Sequence, residues 1–259
     1  MGCTNAKKLS YNEHEYEEEA ELRKFEEEIG AFKKDLNHIL PRICIEKDII
    51  PISNVENNIL KDFSSIFINF IQQGYFYKEV NGKKYYDARK INLLLFLLTN
   101  DTVINNSKIS YHDKASFFFT FVKTREDQNL CEALEENEEN FVKFIEDLVD
   151  IACVGIIDCY TKMRINASIG MMKKFTTIKA EIVESLIKTL FFSKNQQRAG
   201  GLTFEEINAK FGEDKFLFTS GYIREVAWQI LIKGKANEME AKEIEEAKAE
   251  NIKSEKIKK

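Results

Sequence analysis

The sequence predicts an all-α protein made of paired helix–loop–helix units, with a long N-terminal helix and a charged C-terminal helix. Chain breakers are scarce: the 259 residues include 2 prolines and 11 glycines, whereas average usage would give roughly 13 and 18. Apolar residues recur every three or four positions along much of the chain, which is the helical spacing. Helix, polar loop and helix then follow one another repeatedly. These observations favour helices over sandwiches, barrels and α/β folds.

Composition and charge limit the class of protein further. A chain that is 44% hydrophobic and 31% charged can form a core, and its net charge of -5 argues against a nucleic-acid partner. The five cysteines are an odd number without a CxxC pair, which favours a reducing compartment. The longest apolar runs, 91–98 and 148–157, are shorter than the roughly 20 residues of a spanning helix. Since the N-terminus lacks an apolar signal region, we expect a cytoplasmic protein.

Residues 1–10 are predicted to be an acylation segment. Once the initiator methionine is removed, the amine of Gly2 can carry myristate, and Cys3 beside it can carry palmitate. One myristoyl chain binds a membrane only marginally, so Cys3 would supply the second signal. Ala6 departs from the Ser or Thr that is usual at the sixth position. The sequence therefore predicts a membrane-associated protein whose N-terminus contacts the membrane surface.

Residues 11–40 are predicted to form one amphipathic helix, which Pro41 ends. Acidic runs fill one face, and we expect the apolar stripe on the other to pack on the following domain, with a short coiled-coil seam as the alternative. The apolar residues of the stripe are Leu22, Phe25, Ile29, Phe32, Leu36 and Ile39.

The remaining helices are predicted from the same spacing, and a turn containing Asn81-Gly82 is expected over 74–84. The predicted helices cover 59–73, 87–98, 112–122, 139–160, 176–192, 203–211 and 221–232. From residue 236 onward, Ala, Glu and Lys dominate and predict a charged, exposed helical tail.

The stretch 195–206 carries the most specific pattern. Gly200 is its sixth residue, Leu202 its eighth and Glu206 its twelfth, and predicted helices flank it at the right distance. In a calcium-binding loop the sixth residue makes a sharp turn and the twelfth supplies a bidentate carboxylate. The stretch therefore resembles an EF-hand.

The resemblance extends upstream. Residues 113–122 resemble the helix that enters the third hand of neuronal calcium sensor and calcineurin B-like proteins, with 123–134 as its loop and 141–151 as its exiting helix. Residues 67–98, around Asn81-Gly82, resemble a second hand. The resemblance implies a degenerate EF-hand protein with the following division: 41–165 a first EF-hand-like pair, 166–234 a second EF-hand-like unit, and 235–259 the charged tail.

The loop chemistry departs from that of calcium-binding hands. The first, third and fifth positions of 195–206 are Asn195, Gln197 and Ala199, which leaves Glu206 as the single carboxylate at its ligand positions. Calcium takes six to eight oxygen ligands, several of them from carboxylates. We therefore expect no cofactor, with calcium as the alternative. The candidate calcium residues are Asn195, Gln197, Gly201 and Glu206.

Searches for catalytic motifs predict no enzyme. The three histidines are not at metal-ligand spacing, and the chain has neither a glycine-rich phosphate loop nor a GxSxG motif. The carboxylates lie in runs typical of solvated helix faces.

The sequence thus favours a non-catalytic adaptor or scaffold that binds a helix of a partner protein. Paired EF-hands form a hydrophobic groove for an amphipathic helix, and without calcium that groove would be either permanently occupied or permanently open. One alternative is a calcium sensor with a single site at 195–206. Another is an architectural subunit of a cytoskeletal or ciliary assembly. The phenylalanines expected to line the groove are Phe63, Phe67, Phe70, Phe117, Phe118, Phe119 and Phe121.

Overall fold

The computed structural model is predominantly helical, which confirms the all-α prediction at the coarse level. The acylation segment, the second half of the predicted N-terminal helix and the tail beyond residue 237 lie outside the described residues. The described ranges are 13–29, 49–52, 64–98, 111–122, 134–135, 138–164, 169–193, 196–197, 201–214 and 217–237.

Helix α1 (Glu13–Ile29) packs on the body through the predicted stripe. Leu22, Phe25 and Ile29 are each 2% exposed. The ring centroid of Phe25 lies 5.9 Å from that of Phe70 and 4.9 Å from that of Tyr160. This part of the stripe is therefore buried within the fold, as the preferred interpretation expected.

A small antiparallel sheet lies where the sequence predicted only a turn. Helix α2 (Ser65–Ile71) precedes strands β2 (Tyr77–Val80) and β3 (Lys83–Asp87), and β1 (Ile49–Ile50) pairs with the far side of β3. Asn81 and Gly82 have φ angles of 52° and 72°, as a two-residue hairpin turn of a primed type requires.

The turn prediction at Asn81-Gly82 is confirmed, but the helix–loop–helix expected over 67–98 is a helix–hairpin–helix. The physical reason is β-propensity: the turn is flanked by tyrosines, which favour strands. Tyr77 and Tyr86 face each other across β2 and β3 with their rings stacked at 4.9 Å.

Helices α3 (Ala88–Leu98) and α4 (Tyr111–Val122) follow the sheet at the predicted positions. Every residue from 91 to 98 is buried, so α3 lies at the centre of the fold.

The helix predicted over 139–160 runs from 139 to 163. It consists of α5 (Glu139–Asp150), a π-helical segment (Ile151–Gly155) and α6 (Ile156–Met163). A Cβ at Gly155 would overlap the ring of Tyr75, so glycine allows this ring to pack directly on the π-helical backbone. The π turn was not predicted from the sequence.

The helix predicted over 176–192 is two helices, α7 (Ile169–Thr177) and α8 (Lys179–Phe191), which meet at Ile178. A short hairpin of β4 (Phe192–Ser193) and β5 (Gln196–Gln197) comes next. It is followed by α9 (Phe204–Glu213) and by α10, which covers 220–237.

Candidate functional site

The predicted site residues divide between described and undescribed parts of the chain. Gly2, Cys3 and Asn195 lie outside the described residues. Gln197 belongs to β5, where it is the register partner of Phe192. Gly201 lies half-buried just before α9. Within the candidate calcium loop, residues 196–197 therefore form a β-strand that pairs with 192–193.

The carboxylate of Glu206 caps a helix. The hydroxyl of Thr203 accepts a hydrogen bond from the Glu206 N–H at 3.3 Å, and Oε2 of Glu206 accepts one from the Thr203 N–H at 3.0 Å. This reciprocal capping box satisfies two backbone donors at the start of α9. Across the described ranges, no group of three or more His, Cys, Asp and Glu side chains is placed to hold a metal ion.

A reciprocal backbone bridge joins two loops that are far apart in sequence. The N–H of Leu134 donates to the carbonyl of Leu202, and the N–H of Leu202 donates to the carbonyl of Leu134, both at 2.8 Å. Both side chains are buried, at 0% and 2% exposure. The bridge connects the unit α4–α5 with the unit α8–α9, and the helices cross-pack, α4 on α9 and α5 on α8. We call this assembly the bridged pair.

The predicted loop 123–134 lies outside the described residues apart from its last residue, Leu134. Leu134 pairs with Leu202, which is the eighth residue of the predicted loop 195–206. The frame 123–134 therefore stays a prediction.

Most of the phenylalanines expected to line the partner groove lie in the core. Five of them are buried, Phe121 is half-buried, and Phe63 lies outside the described residues. The buried five are Phe67, Phe70, Phe117, Phe118 and Phe119.

The ring of Phe218 fills the space between the units of the bridged pair. Its centroid lies 6.4 Å from that of Phe118 and 6.0 Å from that of Phe211, and the side chain is 0% exposed. Its φ of 57° is unusual for a bulky residue, and such a conformation costs about 1–3 kcal/mol. Nζ of Lys114 donates to the Leu217 carbonyl at 2.9 Å and helps to hold this turn in place.

A buried ionic cluster fastens α1 to α10. Arg224 is 0% exposed; its Nε donates to both carboxylate oxygens of Glu19 at 3.1 Å, and its two terminal nitrogens donate to those of Glu26 at 2.8 and 2.7 Å. Burial acts to lower the pKa of Arg224, but the carboxylates and their hydrogen bonds outweigh burial and raise it. We call Arg224, Glu19 and Glu26 the clamp.

Sequence reasoning missed the clamp because it assigned these glutamates to an exposed acidic face. A signal was present: Glu19 and Glu26 are seven residues apart and share a helix face with Leu22. One terminal nitrogen of Arg224 also approaches the Ala152 carbonyl at 3.4 Å, so the clamp touches the π-helical segment as well.

Among the described residues, helices flank at least two open grooves. The larger, about 900 Å³, lies between α5 and α8 and is called here the α5–α8 groove. The smaller, about 540 Å³, lies beside the clamp between α1 and α10. The side chains lining the α5–α8 groove are Glu135, Val142, Glu146, Thr176, Thr177, Lys179, Ala180, Val183, Glu184 and Ile187.

No protein-family model, curated protein or solved structure matches the chain. Within the described ranges, no helix combines the length and the apolar character needed to cross a bilayer.

Proposed function

We propose that the protein is a non-catalytic, degenerate EF-hand-like adaptor that binds a helix of a partner protein and is held at a membrane surface by acyl groups on Gly2 and Cys3. The observation that supports this best is the reciprocal Leu134–Leu202 bridge. It joins two helix–loop–helix units whose helices cross-pack. Paired helix–loop–helix units are the arrangement that the sequence resemblance implies.

The proposal needs no calcium. The carboxylate of Glu206, the twelfth residue of the loop 195–206, already accepts a hydrogen bond from the Thr203 N–H in the capping box. The ring of Phe218 occupies the interior that a calcium-driven opening would expose. These contacts support a scaffold in which side-chain packing, rather than a bound ion, fixes the positions of the helices.

The clamp would connect the proposed N-terminal anchor to the rest of the fold, because it joins α1 to α10. Helix α1 begins at Glu13, shortly after the predicted acylation segment, and its Glu19 and Glu26 bind the buried Arg224. Breaking such a buried pair by removing one partner costs about 3–5 kcal/mol. A membrane-held N-terminus would therefore hold the whole bridged pair near the bilayer.

Intact mass and membrane pelleting of the full-length protein from a eukaryotic host test the proposal. We expect mass increments of myristate and palmitate on the wild type and neither on Gly2→Ala, because palmitoylation follows a first membrane contact. Cys3→Ser is the matched control that should retain myristate alone. An unmodified wild-type mass would contradict the anchor.

Affinity purification from detergent-solubilised membranes tests the adaptor half of the proposal. A partner should co-purify in equal amount with calcium and with EGTA. Loss of the partner in EGTA would favour the calcium sensor instead.

A further inference from the structure

We infer that the α5–α8 groove is the surface on which the partner helix docks, and that this helix is amphipathic and basic. The inference rests on the proposed adaptor function and names the chemistry of its partner. The binding surface is then the outer face of the bridged pair and not the phenylalanine-lined groove that the sequence predicted.

The interior cannot receive a helix as the fold stands. The rings of Phe118, Phe211 and Phe218 already contact one another there, and Phe218 is fully buried. The groove beside the clamp is equally unsuited, because Arg23 on its edge is paired with Glu19 at 3.0 Å and with Glu225 at 3.6 Å.

The floor of the α5–α8 groove has the spacing of a helix-docking face. Ala180, Val183 and Ile187 are three and four residues apart on α8, so they form one stripe. Val142 adds an apolar side chain from α5. Ala180 is exposed, and Val142 and Ile187 are half-buried, so part of this apolar surface can still be covered. A helix laid along the stripe would contact it through residues i, i+3, i+4 and i+7.

The charges around the groove favour a basic occupant. Lys179 is paired with Asp150 at 2.7 Å, Lys143 with Asp147 at 2.8 Å, and Lys188 with Glu184.

The glutamates of the rim leave a negative surplus. Glu135 and Glu146 line the groove, and neither has an ion-pair partner within the described ranges. Lys or Arg residues beside the apolar stripe of a docked helix would neutralise this charge, which raises specificity and association rate. With a net charge of -5, a second copy of the chain is a poorer electrostatic match.

Fluorescence anisotropy of the full-length protein with a labelled model peptide tests the inference. The probe is a Leu/Lys peptide of roughly 18 residues, about 27 Å of helix, and its control is a Leu/Glu peptide with the same apolar positions. We expect binding of the Leu/Lys peptide alone. Equal binding of both peptides would overturn the charge argument.

Matched variants locate the binding. Glu146→Lys and Ala180→Lys should each weaken Leu/Lys binding about tenfold, whereas Glu181→Lys, on the exposed side of α8 away from the groove, should change it less than about twofold. Circular dichroism should show that all three variants fold. Wild-type affinity in both Glu146→Lys and Ala180→Lys would overturn the assignment of the groove.

Two further measurements identify other occupants. If removal of residues 238–259 raises Leu/Lys affinity tenfold, the chain's own C-terminal segment fills the groove and the inference is wrong. If the wild type sediments as a dimer that Glu146→Lys dissociates, a second copy fills it and the inference is equally wrong.

Co-purification separates failure of this inference from failure of the proposed function. A partner that remains bound to a Glu146→Lys/Ala180→Lys variant keeps the adaptor and refutes the groove. Absence of any partner from the wild type refutes the adaptor itself.

Discussion

The N-terminal region (α1 to α3 with the sheet β1–β3) and the bridged pair differ in how the segments between their helices form backbone hydrogen bonds. Between α2 and α3, the hairpin β2–β3 satisfies its backbone largely within itself and against β1. In the bridged pair, the N–H and carbonyl of Leu134 pair with the carbonyl and N–H of Leu202, about 70 residues away. The hairpin is a local structure, whereas the bridge exists only when both units are folded. The clamp joins α1 of the N-terminal region to α10.

This difference predicts that the two regions respond separately to mutation. Loss of the clamp should loosen α1 without opening the bridge, and loss of the α9 cap should act on the bridge without loosening the hairpin.

Arg224→Met should have the largest effect. It leaves the buried Glu26 carboxylate without its cation and Glu19 with only the exposed Arg23, which costs about 3–5 kcal/mol of unfolding free energy. Urea denaturation measures the loss, and hydrogen exchange should show faster exchange in α1 with Leu134 and Leu202 still protected. Arg23→Met is the control, because the Arg23 side chain is 47% exposed and its ion pairs are worth at most about 1 kcal/mol.

Removing the whole clamp should restore stability. Glu19→Leu/Glu26→Leu/Arg224→Met buries apolar groups in place of the three charges, and we expect most of the lost free energy to return. Equal destabilisation of the triple variant and Arg224→Met would contradict the assignment of the loss to unpaired charge.

Alkaline pH should cause the next largest loss of unfolding free energy, through the buried thiols of the π-helical segment and α6. Burial raises the pKa of both Cys153 and Cys159 to about 12, from an ordinary value of 9.0. Above pH 9 the unfolded thiols lose protons that the folded protein retains, so stability falls as pH rises towards 12, on the order of 1 kcal/mol per pH unit for each thiol.

Urea denaturation at pH 8, 9, 10 and 11 measures this dependence. Tyr75, whose pKa burial also raises, adds to the slope in the same direction. A Cys153→Ala/Cys159→Ala variant isolates the thiol contribution and should have a shallower slope. Identical slopes for the wild type and this variant would refute the prediction.

Much of the helical fold could be predicted from the sequence, since apolar spacing located α3, α4, α5 and α9 closely. The β2–β3 hairpin was missed although Asn81-Gly82 and the flanking tyrosines are a hairpin signal, because a helix–loop–helix frame was applied to the region. Glu19 and Glu26 were assigned to solvent because their partner Arg224 lies about 200 residues away, and local spacing carries no information on it.

The candidate site was predicted less completely. The pattern at 195–206 singled out Leu202 and Glu206. The pairing of Leu202 with Leu134 depends on tertiary packing, which the local pattern does not contain. The capping box at Thr203 and Glu206 is readable as a Thr-x-x-Glu motif before an apolar run, yet the calcium frame gave Glu206 another role. The fates of Gly2 and Cys3 stay predictions, since both lie outside the described residues.

Thr203→Ala should lower stability by a smaller amount, and this loss should be confined to the bridged pair. It removes the N-cap of α9 and should cost about 1 kcal/mol. Because Leu202 precedes the cap directly, its amide should exchange faster, while the amides of β2 and β3 keep wild-type protection. Thr177→Ala, whose exposed hydroxyl only donates to the Lys173 carbonyl, is the control and should change stability by less than about 0.5 kcal/mol. Equal losses in the two variants would contradict the role of the capping box.

Hydrogen exchange at the Leu134 and Leu202 amides, measured in EGTA and in millimolar calcium, tests the central claim most directly. The bridge is proposed to belong to a calcium-independent scaffold, so both amides should be protected to the same degree in the two conditions. Fast exchange of both amides in EGTA, with protection only when calcium is added, would show that the bridge forms on ion binding and would contradict the adaptor account.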